Sequence, residues 1–205
     1  MNAQKCLEIL REIKDCTFST VDAFGAPCAR IIDVMLVEAG ALYFCTARGK
    51  SFHAQLERDG RVAITGLNSN WQTVRLTGRA RRLANSREWI DRIFAANVSM
   101  NSIYPGESRY ILDAYVIDSG KIEFFDLGVS PIYRESFTLG EAKVEPKGFH
   151  ITGDCIGCSL CARCCPQQCI RPGEPYEIEQ AHCLHCGLCF ENCPAGAIVR
   201  REETK

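Results

Sequence analysis

The chain carries no excess of charge of either sign: 24 Lys and Arg stand against 25 Asp and Glu, a net charge of −1. That excludes the basic stripe on which nucleic-acid binders depend, so no nucleic-acid partner is expected. No apolar run approaches the roughly 18 residues that span a bilayer, so no membrane partner is expected. Met1 to Leu10 alternates polar and apolar residues and lacks a secretory h-region, so the expected location is the cytoplasm. No G-x-G-x-x-G follows a strand, which removes the usual dinucleotide fingerprint. With 46% hydrophobic residues the chain is not short of core-forming side chains, and a disordered polypeptide is excluded.

Cysteine is what the sequence has in abundance, 14 in all. Cys6, Cys16, Cys28 and Cys45 are scattered through the first 145 residues, and the other ten fall between Cys155 and Cys193. A concentration of that kind, without an export signal, points to metal ligation rather than disulfides.

Residues 1–140 read as α+β with strands dominant. Ala3, Leu7, Leu10 and Ile13 share one face of a helix. Residues 16–22 read as a strand, and Ala23-Phe24-Gly25-Ala26 as its turn. Ile31 to Val37 is nearly all apolar, as in a strand buried on both faces. Strands follow at 41–46 and 62–67, with a short helix between them. Residues 73–81 alternate, with Val74, Leu76, Gly78 and Ala80 on the inner face. Asn85 with Glu88 reads as the start of a helix whose stripe is Trp89, Ile90, Ile93 and Phe94. Asp118 to Lys121 reads as a hairpin turn, and residues 134–139 add a last strand. Six or seven short strands with few helices suggest a closed or half-closed barrel. Residues 141–148, with Pro146 and Gly148 among charges, read as a linker.

Residues 149–205 contain an internal repeat. Shifted by 28 positions, Cys155, Cys158, Cys161 and Cys165 fall on Cys183, Cys186, Cys189 and Cys193. Pro166 falls on Pro194, Leu160 on Leu188 and Ile170 on Ile198. Each half reads C-x2-C-x2-C-x3-C-P, the run in which three thiolates wrap one iron–sulfur cluster and the fourth ligates the partner cluster. Two cysteines stand outside the pattern. Cys169 falls on Ala197 and reads as packing. Cys164 falls on Asn192, next to a ligand position, and the spacing of the second motif favours Cys165 over it. His182 and His185 flank Cys183 and read as loop residues that tune hydrogen bonding to sulfur.

This tail resembles the bacterial two-[4Fe–4S] ferredoxins. The resemblance implies one cluster held by Cys155, Cys158, Cys161 and Cys193 and another by Cys183, Cys186, Cys189 and Cys165. In the first domain, Ala41 to Leu56 (A-L-Y-F-C-T-A-R-G-K-S-F-H-A-Q-L) reads as strand, basic turn and helix, a phosphate site by its free N–H groups, Ser51 and Lys50. Together with Trp71 to Gly78 (W-Q-T-V-R-L-T-G) and Ile103-Tyr104-Pro105, it resembles the pyridoxamine 5′-phosphate oxidase-like split-β-barrel flavoproteins. That resemblance implies FMN at a homodimer interface. Arg30, Thr46, Lys50 and Ser51 would face the phosphate and ribityl chain, and Trp71 and Arg75 would approach from the second subunit. Many members carry Ser-x-Lys at the helix start. Here Ser51-Phe52-His53 follows Lys50, so either Lys50 or His53 takes that lysine's place.

The combination implies an oxidoreductase that passes electrons between two [4Fe–4S] clusters and FMN to reduce a small organic acceptor. Rival readings are an electron-transfer module serving a partner protein, and a redox sensor that binds haem or another cofactor. No catalytic acid or base is assigned.

Overall fold

The computed structural model describes residues 1–201; residues 202–205, the end of the expected tail domain, lie outside the described residues. Helices α1 (Ala3–Ile13), α2 (Ser51–Arg58), α3 (Ser86–Ala96) and α4 (Met100–Ile103) accompany strands β1 (Asp15–Val21), β2 (Pro27–Asp33), β3 (Leu36–Glu38), β4 (Ala41–Ala47), β5 (Arg61–Leu67), β6 (Gln72–Arg79), β7 (Arg81–Arg82), β8 (Leu112–Ile117), β9 (Gly120–Asp126) and β10 (Tyr133–Leu139). Beyond them come β11 (Phe149–Ile151), α5 (Leu160–Cys164), β12 (Ile170–Arg171), β13 (Glu177–Ile178), α6 (Leu188–Glu191) and β14 (Ile198–Arg200). Packing divides the chain into two units: Met1–Phe124 with Ser136–Lys143, and Phe125–Glu135 with the chain from Val144 onward. Among the described residues, no helix is long and apolar enough to cross a membrane.

The first unit is a split barrel. One sheet has six strands in the order β10-β9-β6-β5-β1-β2 and the other has four, β3-β4-β8-β7. The chain passes between sheets at Val34–Met35, through α2 between β4 and β5, at Ala80 and at Asp118–Ser119. Inside lies an aromatic cluster: Phe18 meets Phe44 edge-on at 5.0 Å, and Phe44 stacks on Phe52 at 5.8 Å and Tyr115 at 5.4 Å. All seven residues of β4 and all six of β8 are buried, because both faces of this pair are covered. One face meets the aromatic cluster; the other carries Cys45 and Ala114 against Ile90, Ile93 and Phe94 of α3.

Three local expectations are corrected. Ile31 to Val37 is not one buried strand. It is the end of β2 and the start of β3, and Ile31 is 60% exposed on the open face. Asp118 to Lys121 does not close a hairpin, since β8 and β9 belong to different sheets. The glycines explain the diversion. A Cβ on Gly78 would stand 2.4 Å from the Ser119 carbonyl oxygen, and one on Gly120 2.5 Å from that of Thr77, so bare backbone lets β9 run alongside β6. Asn85 precedes α3, but its side chain makes no capping hydrogen bond.

The second unit keeps the repeat in its backbone. Helices α5 and α6 occupy matched positions, as do Ile170 in β12 and Ile198 in β14. Three matched pairs sit in the left-handed region: Gly157 with His185 (φ 69° and 56°), Ser159 with Gly187 (61° and 83°), and Gln168 with Gly196 (51° and 62°). Each pair contains one glycine, so both copies follow one backbone path while glycine relieves only one of them.

Candidate functional site

The second unit contains two partly open cavities, of about 330 and 320 Å³ with the space at their mouths included. Cys155, Cys158, Cys161 and Cys193 line one, together with Tyr176 and Ile198. Cys165, Cys183, Cys186 and Cys189 line the other, together with Phe149 and Ile178. Three thiols of each set come from one repeat and the fourth from the other. The mixed walls, four matched thiols in each among apolar side chains, with Cys169 as a fifth in the second, suit a cluster that takes thiolate ligands and is shielded from water. The His185 N–H donates to the Cys183 sulfur at 3.4 Å. Cys158 and Cys186, at matched positions, are exposed.

Cys164 lines neither cavity; its thiol points to the Cys161 carbonyl oxygen at 3.4 Å. Cys169 is 2% exposed and lies on the wall of the second cavity, its sulfur 3.6 Å from that of Cys165. Sequence comparison of the halves found its small, buried character but not this proximity. Cys6, Cys16 and Cys45 of the first unit are buried packing groups by contrast, and Cys28 is half-buried. Burial pushes the thiols of Cys16 and Cys45 up to about 12, far from the thiolate form.

In the first unit the predicted residues gather around α2. Lys50 is its N-cap, with extended backbone, and Ser51 is its first residue; both are exposed. Thr46, at the end of β4, is buried with a hydroxyl that has no hydrogen-bond partner. Arg30 reaches from β2 to the flank of α2. It donates to Thr20 Oγ1 at 2.5 Å, Gln55 Oε1 at 2.8 Å and the Phe18 carbonyl oxygen at 3.3 Å, and lies over the Phe52 ring at 4.7 Å. These partners are all neutral, and among the described residues no carboxylate pairs with its charge. A partly buried cation, a lysine, an orphaned hydroxyl and free helix N–H groups fit an anion such as a phosphate. Trp71 and Arg75 stand apart from this group. Trp71 is 63% exposed in the turn before β6, at φ 61°, and Arg75 is exposed on β6, 3.5 Å from Glu123.

Sequence reasoning missed Asp113. It lies opposite Thr46 in the β4–β8 register and is buried. It receives His53 Nε2 at 2.9 Å, Arg48 at 3.3 Å and Arg82 at 3.4 Å. Burial would push its carboxyl up, but the His53 hydrogen bond and the charges of Arg48 and Arg82 outweigh that and hold it below the usual carboxylate range. The available signal was one acidic residue inside a wholly apolar strand. Because the folded-state value is depressed, its contribution to stability is complete above the unfolded value near pH 4 and is lost as pH falls through the folded value. Asp113→Asn is therefore expected to lower unfolding free energy by about 1–3 kcal/mol at neutral pH. Denaturant titrations of variant and parent should converge as the pH falls through the depressed folded-state value.

Residues 3–113 match the pyridoxamine 5′-phosphate oxidase family, and residues 154–197 match the 4Fe-4S dicluster domain. No curated protein matches the chain. Among solved structures it is similar to a NimC/NimA family protein from Clostridium acetobutylicum, with a TM-score of 0.58 and 22% identity over 67% of this chain and 92% of that one. It is also similar to a protein from the same organism related to general stress protein 26 of B. subtilis. There the TM-score is 0.50, with 13% identity over 65% of this chain and 94% of that one. At these identities the structures speak for the fold, and the two matched families cover the two cysteine-poor and cysteine-rich parts in turn. The chain belongs to the pyridoxamine 5′-phosphate oxidase family and carries a 4Fe-4S dicluster domain after its barrel.

Proposed function

We propose that this protein is a flavin and iron–sulfur oxidoreductase, passing electrons between two [4Fe–4S] clusters and FMN to reduce a small organic acceptor. The observation that carries the reading is one chain holding two cavities, each lined by one matched set of four thiols, and, on its barrel, cationic and donor groups left without an anion. FMN, when bound, converts between single electrons and two-electron equivalents. The chain's own residues do the holding. Lys50 and Arg30 supply positive charge for the phosphate, and Ser51, Thr46 and the first N–H groups of α2 supply donors. Cys155, Cys158, Cys161 and Cys193 would ligate one cluster, and Cys165, Cys183, Cys186 and Cys189 the other.

The reading includes a two-fold homodimer in which Trp71 and Arg75 of the second copy approach the flavin. Exposed apolar side chains support it: Ile31 at 60%, Leu67 at 53% and Trp71 at 63% leave more greasy surface on the sheet than a lone barrel needs. The many free cysteines suit a reducing compartment such as the cytoplasm.

Protein purified without oxygen tests the reading. Extraction should give about one FMN and about eight iron atoms per chain, with flavin bands over a broad iron–sulfur shoulder. A Soret band with no flavin would replace it by haem binding, and clusters without any flavin would reduce it to an electron carrier.

A further inference from the structure

The two halves of the repeat share a backbone path but not a charge environment. The residue before the first cysteine is Asp154 in one half and His182 in the other. Asp154 is exposed and directly precedes Cys155, which lines the first cavity; its carboxylate accepts from Thr152 Oγ1 at 3.1 Å. The second cavity is gripped by the segment Phe125–Glu135, which in sequence joins β9 to β10 of the barrel. Arg134 donates from Nη1 to the carbonyl oxygen of Cys183 at 3.1 Å, with its guanidinium 5.5 Å from the Phe125 ring. His182 Nδ1 donates to the Ile132 carbonyl at 2.8 Å, and the Ile132 N–H meets Gln167 Oε1 at 3.5 Å. Glu179 pairs with Arg171, and Glu135 accepts from Tyr133 at 2.5 Å. Among the described residues, none of 125–135 lines the first cavity.

We infer that the two clusters are unequal, and that the one held at Cys165, Cys183, Cys186 and Cys189 has the higher reduction potential and takes the first electron. Reduction adds one negative charge to a cluster. A guanidinium against a ligand's peptide stabilises that added charge, whereas a carboxylate beside the other cluster opposes it. Arg134 keeps its charge and its fork of donors whatever else it pairs with. It acts through the Cys183 peptide and is a positioning residue. With both clusters bound, the set Cys155, Cys158, Cys161 and Cys193 would hold the one that gives up one electron and the set Cys165, Cys183, Cys186 and Cys189 the one that accepts it, with no proton moved. An external one-electron donor restores the first. Electrons therefore collect at the cluster held by Cys165, Cys183, Cys186 and Cys189.

A redox titration of the whole protein followed by electron paramagnetic resonance tests this, independently of flavin content. The parent should show two one-electron waves. Arg134→Gln should lower the reduced-to-oxidised ratio of the higher wave at least tenfold at a fixed potential, 59 mV for one electron, and leave the lower wave in place. Arg134→Lys, which keeps the charge, should hold the higher wave near its parent position. Asp154→Asn should raise the lower wave only. The inference is overturned if Arg134→Gln moves the lower wave or neither, if Arg134→Lys shifts as far as Gln, or if both sites act on one wave. Should Arg134→Gln lose its second cluster, the exposed Asp154→Asn decides alone: a rise of the lower wave supports the assignment, and a rise of the higher one overturns it.

Discussion

Cys193→Ser is expected to empty the cavity of the opposite repeat, not that of its own neighbours. Its sequence companions Cys183, Cys186 and Cys189 line one cavity, while Cys193 lines the other with Cys155, Cys158 and Cys161. The bend at Pro194 carries the thiol across. Iron should fall from about eight to about four atoms per chain. The surviving cluster should be the one whose potential responds to Arg134→Gln. A survivor that responds to Asp154→Asn instead would show that the fourth cysteine stays with its own half. Stability should fall too, since metal–thiolate bonds contribute directly to the folding of so small a unit. The reciprocal change needs two substitutions. Cys169 stands with its sulfur 3.6 Å from that of Cys165, on the same cavity wall, so Cys165→Ser alone leaves a thiol close to the vacated position. Cys165→Ser with Cys169→Ser removes both.

Lys50→Ala is expected to weaken FMN binding about ten- to hundredfold. A phosphate near neutral pH carries about −1.5 to −2 charge. Taking it partly out of water is recovered only by charge-assisted hydrogen bonds, each contributing about 1.5–3 kcal/mol. Converted to affinity, that is the factor quoted. Lys50 and His53 are the two candidates for the cation at the helix start, and their surroundings separate them. His53 is engaged by the Asp113 carboxylate at 2.9 Å, half of a network that also takes Arg48 and Arg82. Lys50 has no such partner and stands at the N-cap. His53→Ala should therefore matter less, and both variants should keep their clusters. Equilibrium dialysis with FMN measures the difference. Tight binding by Lys50→Ala together with loss in His53→Ala would move the phosphate to His53.

The cysteine repeat was legible because eight ligands at fixed spacing leave little freedom, and the backbone repeats with them down to the paired left-handed residues. The strand-rich first unit was legible wherever one face is buried, as in β6, whose alternation is read directly from Val74, Leu76 and Gly78. It was misread where the chain changes sheets. Composition does not record that Gly78 and Gly120 let two strands approach, so Asp118 to Lys121 looked like an ordinary turn. Around α2, Lys50 and Ser51 announced themselves by the strand–turn–helix pattern. Gln55, Thr20 and Asp113 did not, because what they do depends on neighbours 25 to 60 residues away. The grip of Arg134 on Cys183 spans 49 residues and has no local signature.

The claim that clusters and flavin form one electron path within a single molecule is tested most directly by stopped-flow reduction of the anaerobic holoprotein with a one-electron donor. The account predicts that cluster absorbance bleaches first and flavin absorbance follows, at a rate unchanged when the protein is diluted tenfold, and that Cys193→Ser slows the second phase. A flavin phase that scales with protein concentration, or that is untouched by loss of the cluster, would contradict it.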